Sequence, residues 1–274
     1  MPKQITSLQN PLIRNILLLE EKPRERRQQN LAVIEGIREV RLALASGFTV
    51  PLILWCKEFL ETPELDAQLK GTGSSSELAE ITPDIFNKLA YRKDTGGIIA
   101  TVVPKRLLFH DLRFGPQPLF LALETVEKPG NLGAILRTAD AANLDGVIIC
   151  DPQTDIYNPN AIRSSLGCIF TMPIVTTTTE HAIHWFREQG IRTFGTALTA
   201  TRHYHETDYR TPAAIIMGSE AFGLSGKWLD EADELVKIPM RGKVDSMNVS
   251  ASAAVVVFEA LRQRGFQNFE ISVS

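Results

Sequence analysis

The chain has 274 residues, 44% of them hydrophobic and 22% charged, with a formal net charge of −3. That is room for two domains with their own cores, and it excludes both a disordered chain and a protein coated in positive charge for nucleic acid. No uncharged apolar run is long enough to span a membrane, and residues 1–10 lack the basic-then-apolar pattern of a secretory signal. The three cysteines, Cys56, Cys150 and Cys168, are widely spaced and form no C-x-x-C, so neither a zinc ribbon nor a redox pair is expected. These features fit a cytoplasmic protein.

In chain order, Leu12, Ile13, Ile16, Leu17 and Leu19 have amphipathic helical spacing over 10–20. The basic cluster Lys22, Arg24, Arg26 and Arg27 follows. Residues 1–41 hold eight Lys/Arg against five Asp/Glu. The cluster fits either a solvated helix end or a patch that contacts phosphates. A short strand is expected at 31–35, then a helix over 36–46 closed by Gly47, a buried strand at 50–55 and a flexible loop at 70–76. Thr82 reads as the N-cap of a helix over 81–90, with Pro83 at its first position. A strand at 97–103 completes an α/β unit. Residues 104–117 are punctuated by proline and glycine without a clear period, and they read as a linker.

The second half alternates more clearly. Strands are expected at 119–123, 146–150, 193–198, 213–217 and 235–238, with helices over 131–143, 181–189 and 249–264. Continuous apolar strands between helices predict a mostly parallel sheet covered on both faces. Its ligands belong at the carboxyl ends of the strands. Cys150 closes its strand as a small buried thiol.

Three polar loops follow strands and open helices. In the first, Asn131 reads as an N-cap, and Gly133, Ala134, Arg137 and Ala141 share a helix side that is small except for the arginine. In the second, Gly218 ends a strand and lets backbone approach a ligand, and Glu220 is suited either to a site or to the next helix's N-terminal dipole. In the third, Ser246 and Asn248 run into a helix of Ala and Val, where capping is the plain reading. No dinucleotide or P-loop glycine fingerprint occurs, nor a zinc-protease or serine-hydrolase motif. His203 and His205 lie in a polar stretch with no third metal ligand in view, so no metal is expected.

Taken together and in this order, Asn131-x-Gly133-x-x-x-Arg137, Gly218-Ser219-Glu220-x-x-Gly223, and Ile238-Pro239-Met240 with Ser246-Met247-Asn248-Val249-Ser250 resemble the SpoU/TrmH branch of the SPOUT RNA methyltransferases. The family's third motif reads Ser-Leu-Asn, so Met247 is a departure, one of nearly equal volume. The segment 154–167 is similar to the antibiotic-resistance-type ribosomal RNA members. Ser7 to Pro11 and Val33 to Gly36 resemble the family's ribosomal-protein-like substrate-binding module.

The resemblance implies a mostly parallel α/β sheet with a trefoil-knotted SPOUT fold over 118–274, preceded by a smaller α/β RNA-binding domain over 1–104. It also gives the stretch from Lys22 to Arg27 an RNA-facing role. It implies S-adenosyl-L-methionine as cofactor, a homodimer with shared active sites, and methylation of a ribose 2′-hydroxyl, most naturally in 23S ribosomal RNA. Transfer RNA, or a non-catalytic RNA-binding role on the same fold, are the alternatives. Gly218, Ile238 and Met247, with Thr196 and Ala197, would contact the cofactor. Asn131, Glu220, Ser246 and Asn248 would orient the ribose and the loops. The family assigns the counterpart of Arg137 as general base. Arginine stays protonated up to a pKa above about 12, and stabilising a developing alkoxide or a nearby phosphate is the other role open to it.

Overall fold

The computed structural model describes residues 3–69, 76–91 and 96–266, so all of the loop expected at 70–76 except Ser76 lies outside the described residues. The chain divides into two compact units. The first is Met1–Lys105 with Asp155–Thr171; the second is Arg106–Thr154 with Met172–Ser274.

The first unit begins with β1 (Lys3–Ile5), α1 (Pro11–Glu21), α2 (Pro23–Gln29), β2 (Ala32–Glu35) and α3 (Ile37–Ala45). It continues with β3 (Leu52–Trp55), α4 (Thr62–Leu69), β4 (Glu77–Ile81), α5 (Pro83–Leu89) and β5 (Ile98–Val102). The second unit starts at β6 (Leu119–Glu124), α6 (Pro129–Ala141) and β7 (Gly146–Cys150). The chain then supplies α7 (Pro159–Ser165) and α8 (Cys168–Thr171) to the first unit. The second is completed by β8 (Ile174–Thr177), α9 (Thr179–Glu188), β9 (Arg192–Thr196), β10 (Arg202–His203), β11 (Ala213–Met217), α10 (Gly226–Glu231), β12 (Glu234–Lys237) and α11 (Val249–Gln263).

In the first unit the sheet order is β1-β4-β3-β5-β2. The β1–β4 and β4–β3 pairs are parallel, and β5 runs antiparallel to β3 and β2. Helix starts follow local chemistry. Asn10 Oδ1 accepts from Leu12 N–H ahead of Pro11, and Thr82 caps α5 ahead of Pro83 as expected. The apolar side of α1 (Ile13, Ile16, Leu19) joins Phe86, Leu54 and Ile99 in one core. The basic stretch forms α2, and Lys22, Arg24 and Arg27 are exposed. Arg26 departs from the RNA-facing expectation. Its side chain is only 3% exposed and its Nε donates to Asp155 Oδ2 at 2.6 Å. Its Nη1 donates to the carbonyls of Leu19 and Glu20, which lie in the last turn of α1. A helix end with unpaired carbonyls is a natural seat for a cation.

The segment Asp155–Thr171 is held by more than that pair. Arg163 Nη1 lies 3.4 Å from Glu35 Oε2, and Phe48 and Phe170 meet edge to face at 5.2 Å. Gly167 has φ +85°, and a Cβ there would sit 2.6 Å from Leu42 Cδ1. Glu20 is close to this charge cluster. Burial raises its carboxyl from the ordinary 4.5 to about 7, helped by Glu35 and opposed by Arg163. The folded form therefore holds that proton more tightly than the unfolded chain. Stability from this group is present below about pH 4.5 and is lost as pH rises through about 7. Glu20→Gln is expected to raise the urea midpoint at pH 8 and to flatten its fall between pH 5 and 7. An unaltered pH dependence in the variant would contradict the burial argument.

The second unit carries an all-parallel seven-stranded sheet in the order β10-β12-β9-β11-β6-β7-β8. Its strands β6, β7 and β11 bury every residue, which is why they read as unbroken apolar runs. Residues 106–117 pack onto this unit. Phe109 stacks on Trp185 at 4.5 Å, and Phe114 meets Phe120 edge-on at 5.3 Å. Arg264, just past α11, donates to the carbonyls of Tyr209, Gln117, Pro118 and Thr211, which ties the C-terminal helix to two loop ends. All three cysteines are buried and none is in a disulfide, and burial pushes the Cys150 thiol up. Among the described residues no helix is long and apolar enough to cross a membrane.

Candidate active site

The strand order of the second unit reverses around β6 and β11. From β6 the chain steps outward to β7 and β8, and β9, β12 and β10 lie on the far side of β11. In parallel α/β sheets ligands gather at the carboxyl ends of strands beside such a switch. The loops after β6, β11 and β12 all emerge there.

The loop after β6 enters α6 earlier than expected. Lys128 is the N-cap and Pro129 takes the first helical position, because its fixed φ suits that place. Asn131 is therefore not the cap, and its side chain is free for tertiary contacts. It donates through Nδ2 to Glu220 Oε1. Its Oδ1 accepts from Asn248 Nδ2 at 3.2 Å. Asn131 thus turns its NH2 to Glu220 and offers its oxygen to Asn248. Asn248 also caps α11, its Oδ1 accepting from Ser250 N–H at 2.9 Å and from Ser250 Oγ at 2.5 Å. The plain capping reading holds for this residue, and the same side chain also reaches Asn131.

Glu220 sits on a closed turn. Ser219 N–H donates to Gly223 O and Gly223 N–H donates back to Ser219 O, each at 3.0 Å. A Cβ on Gly218 would lie 2.1 Å from the Gly223 carbonyl carbon, so only glycine lets the strand end and the turn press together. Glu220 does not serve the dipole of α10, whose N-cap is Ser225. Its second oxygen, Oε2, is buried, lies 3.6 Å from Lys128 Nζ, and has no hydrogen-bond donor among the described residues.

Glu124, at the end of β6, is 3% exposed and fastens the far side of the same loop. It accepts from Ser225 N–H and Ser225 Oγ, both at 2.7 Å, and from Thr179 Oγ1 at 2.9 Å. Neither Glu124 nor Lys128 stands out in the sequence, because their partners are tens of residues away. The one local signal is a carboxylate closing an otherwise apolar strand.

The remaining sequence candidates lie around this junction without joining the hydrogen-bond chain. Arg137 is six residues beyond Asn131, about 9 Å along the helix axis. It is exposed, and among the described residues its side chain has no hydrogen bond or ion pair of its own. Ser246 is exposed and donates to its neighbour Asp245 at 3.2 Å. Thr196 Oγ1 donates to Ile216 O at 2.9 Å, and Ala197 N–H donates to Val236 O at 3.0 Å. Those bonds fix the end of β9 beside β11 and β12. Thr196, Ala197, Gly218 and Ile238 are half-buried, and Met247 is exposed. None of these five residues carries a charged side chain.

His203 and His205 do acquire a third neighbour. Glu206 brings its carboxylate to them, with ligand atoms of all three within 4.8 Å of one another. The sequence expectation had no such partner in view. Glu206 Oε2 accepts from His203 N–H at 2.9 Å, which closes the short turn at Tyr204–Glu206.

A parallel α/β sheet whose three motif loops meet at its switch point is a ligand-binding architecture. The chain belongs to the SpoU rRNA methylase family, whose model matches residues 118–258, and an MRM3-like substrate-binding domain matches residues 10–100. The 23S rRNA (guanosine(2553)-2′-O)-methyltransferase of Bacillus subtilis is 30% identical, over 93% of this chain and 98% of its own. An AdoMet-bound rRNA methyltransferase structure from Sinorhizobium meliloti superposes with a TM-score of 0.87 at 28% identity, covering 95% of this chain and 97% of that one. The AdoMet complex of the SpoU methyltransferase AviRb from Streptomyces viridochromogenes gives 0.84 at 25%, covering 93% and 98%.

Proposed function

We infer that this chain transfers a methyl group from S-adenosyl-L-methionine to a ribose 2′-hydroxyl of 23S ribosomal RNA. The observation that carries the reading is the hydrogen-bond chain Asn248–Asn131–Glu220, which draws the loops after β12, β6 and β11 into one site. Relatives named for ribose 2′-O-methylation of 23S rRNA, and structures with AdoMet bound, support the substrate and the cofactor.

Thr196, Ala197, Gly218, Ile238 and Met247 would hold the adenosine, largely through backbone. When bound, the cofactor supplies a methyl on a sulfonium, already a strong electrophile. The chain's own task is to place a weakly acidic hydroxyl and handle its proton. Glu220, held by Asn131, would orient the ribose and the loop after β11. Asn131 and Asn248 hold that carboxylate in place. Arg137 would stabilise the charge that builds on the ribose oxygen as its proton leaves, or grip an adjacent phosphate. Ser246 would steady the third loop. The first unit, through exposed Lys22, Arg24 and Arg27, would bind the RNA. A homodimer, a trefoil knot in the second unit, and a cytoplasmic location complete the reading. The test is to map ribose 2′-O-methyl sites in 23S rRNA from cells with and without the gene. One site absent only from the deletion strain is expected, and identical maps would overturn the assignment.

A further inference from the structure

We propose that Phe222 is a nucleobase-binding platform, on which a base of the RNA next to the reacting ribose stacks. Phe222 is 89% exposed, more than any other large hydrophobic side chain among the described residues. Single exposed apolar residues are common and mean little by themselves. What separates this one is where it stands and how it is held.

The ring lies two residues after Glu220, so its Cα is within about 7 Å of the Glu220 Cα. It thus projects from the same turn that reaches Asn131. That turn is not a loose tip. The reciprocal bonds between Ser219 and Gly223 close it, and Phe222 N–H donates to Ser219 Oγ at 3.0 Å. Gly223 takes φ +70°, and Gly218 lets the strand end sit against the turn. Ser225 is tied down by Glu124. Leu224, next but one, is 6% exposed and packs into the sheet's core, so the turn has an inward anchor and Phe222 is not needed for that purpose. A flat ring on a fixed backbone loses little entropy on binding.

The chemistry of the occupant follows from what surrounds the ring. Its chain neighbours Ala221 and Gly223 are small and exposed, so nothing on its own turn covers the ring. One aromatic side chain buries about 150–250 Å², far below the roughly 1,200–2,000 Å² of a stable protein interface. A single exposed π-face is sufficient for an unstacked base, the usual way single-stranded RNA is gripped.

The proposal rests on RNA being the substrate, and the experiment separates the two. The Kd of a 23S rRNA transcript is measured by filter binding without cofactor, and its KM in methyl transfer, for wild type, Phe222→Ala, Phe222→Leu and Phe222→Tyr. Loss of one stack should raise Kd and KM about tenfold in the alanine and leucine variants. Tyrosine should restore both. S-adenosylmethionine affinity, melting temperature and oligomeric mass should match wild type throughout. Unchanged RNA affinity in Phe222→Ala, or a leucine variant as good as wild type, would overturn the platform. So would a weakening that tracks lost oligomer mass or lost cofactor affinity, since the ring would then cover a subunit or the cofactor. A wild type that binds the transcript but never methylates it would count against the catalytic reading instead.

Discussion

Replacing Arg137 by alanine is expected to slow methyl transfer by about 10²–10³-fold, the usual cost of removing a group that stabilises charge in the transition state. Folding should be indifferent to the change. The side chain is exposed, and among the described residues no hydrogen bond or ion pair depends on it. Melting temperature and S-adenosylmethionine affinity should therefore stay at wild-type values. Arg137→Lys distinguishes the roles open to the residue. A lysine keeps the charge and loses the planar fork, so a charge-stabilising role predicts partial activity with a similar pH profile. Lysine also deprotonates more readily than arginine, so a general-base role predicts a higher rate in the lysine variant as pH approaches its pKa. Single-turnover rates across pH for the three proteins decide it. A lysine variant with wild-type rate and profile would remove both roles.

The largest expected loss of stability is at Asp155→Ala. Arg26 is 3% exposed and its guanidinium is paired with this carboxylate at 2.6 Å. Deleting one partner of a buried pair leaves the other charge out of water and costs about 3–5 kcal/mol. The same carboxylate also accepts from Tyr157 N–H at 3.0 Å, so the start of Asp155–Thr171 loses its tether. For a unit of this size the melting temperature should fall by about 10 °C or more. Replacing both partners, Arg26→Met with Asp155→Leu, should recover most of that, because no orphan charge remains. A single variant within 1–2 °C of wild type would show that Arg26 escapes to solvent.

What could be read in the sequence, and what could not, follows the range of the interactions involved. Strands such as Leu119–Glu124 and Ala213–Met217 are buried on both faces, so their apolar runs are local and visible. The N-cap at Thr82 is visible for the same reason. Arg26 sits among charged neighbours and reads as a surface residue, and only a partner 129 positions away makes it a core one. The helices α7 and α8 are short and begin in a polar Asn-Pro-Asn segment, so neither their existence nor their place in the first unit shows as a period. Pro129 sets the start of α6 ahead of Asn131, which frees that side chain from capping. The structure joins three of the motif residues, Asn131, Glu220 and Asn248, in one hydrogen-bond chain. Glu124 stayed hidden because its donors, Thr179 and Ser225, lie 55 and 101 residues further on.

The central claim, that the Asn248–Asn131–Glu220 junction serves ribose methylation, is tested most directly by following the methyl group. Purified protein, methyl-labelled S-adenosylmethionine and a 23S rRNA transcript are combined, and the RNA is digested to nucleosides for mass spectrometry. Label is expected on the ribose of one nucleoside, as a 2′-O-methyl group, and its yield should collapse in Glu220→Gln. Label on a base, or unlabelled RNA from a protein that binds both cofactor and transcript, would contradict the account.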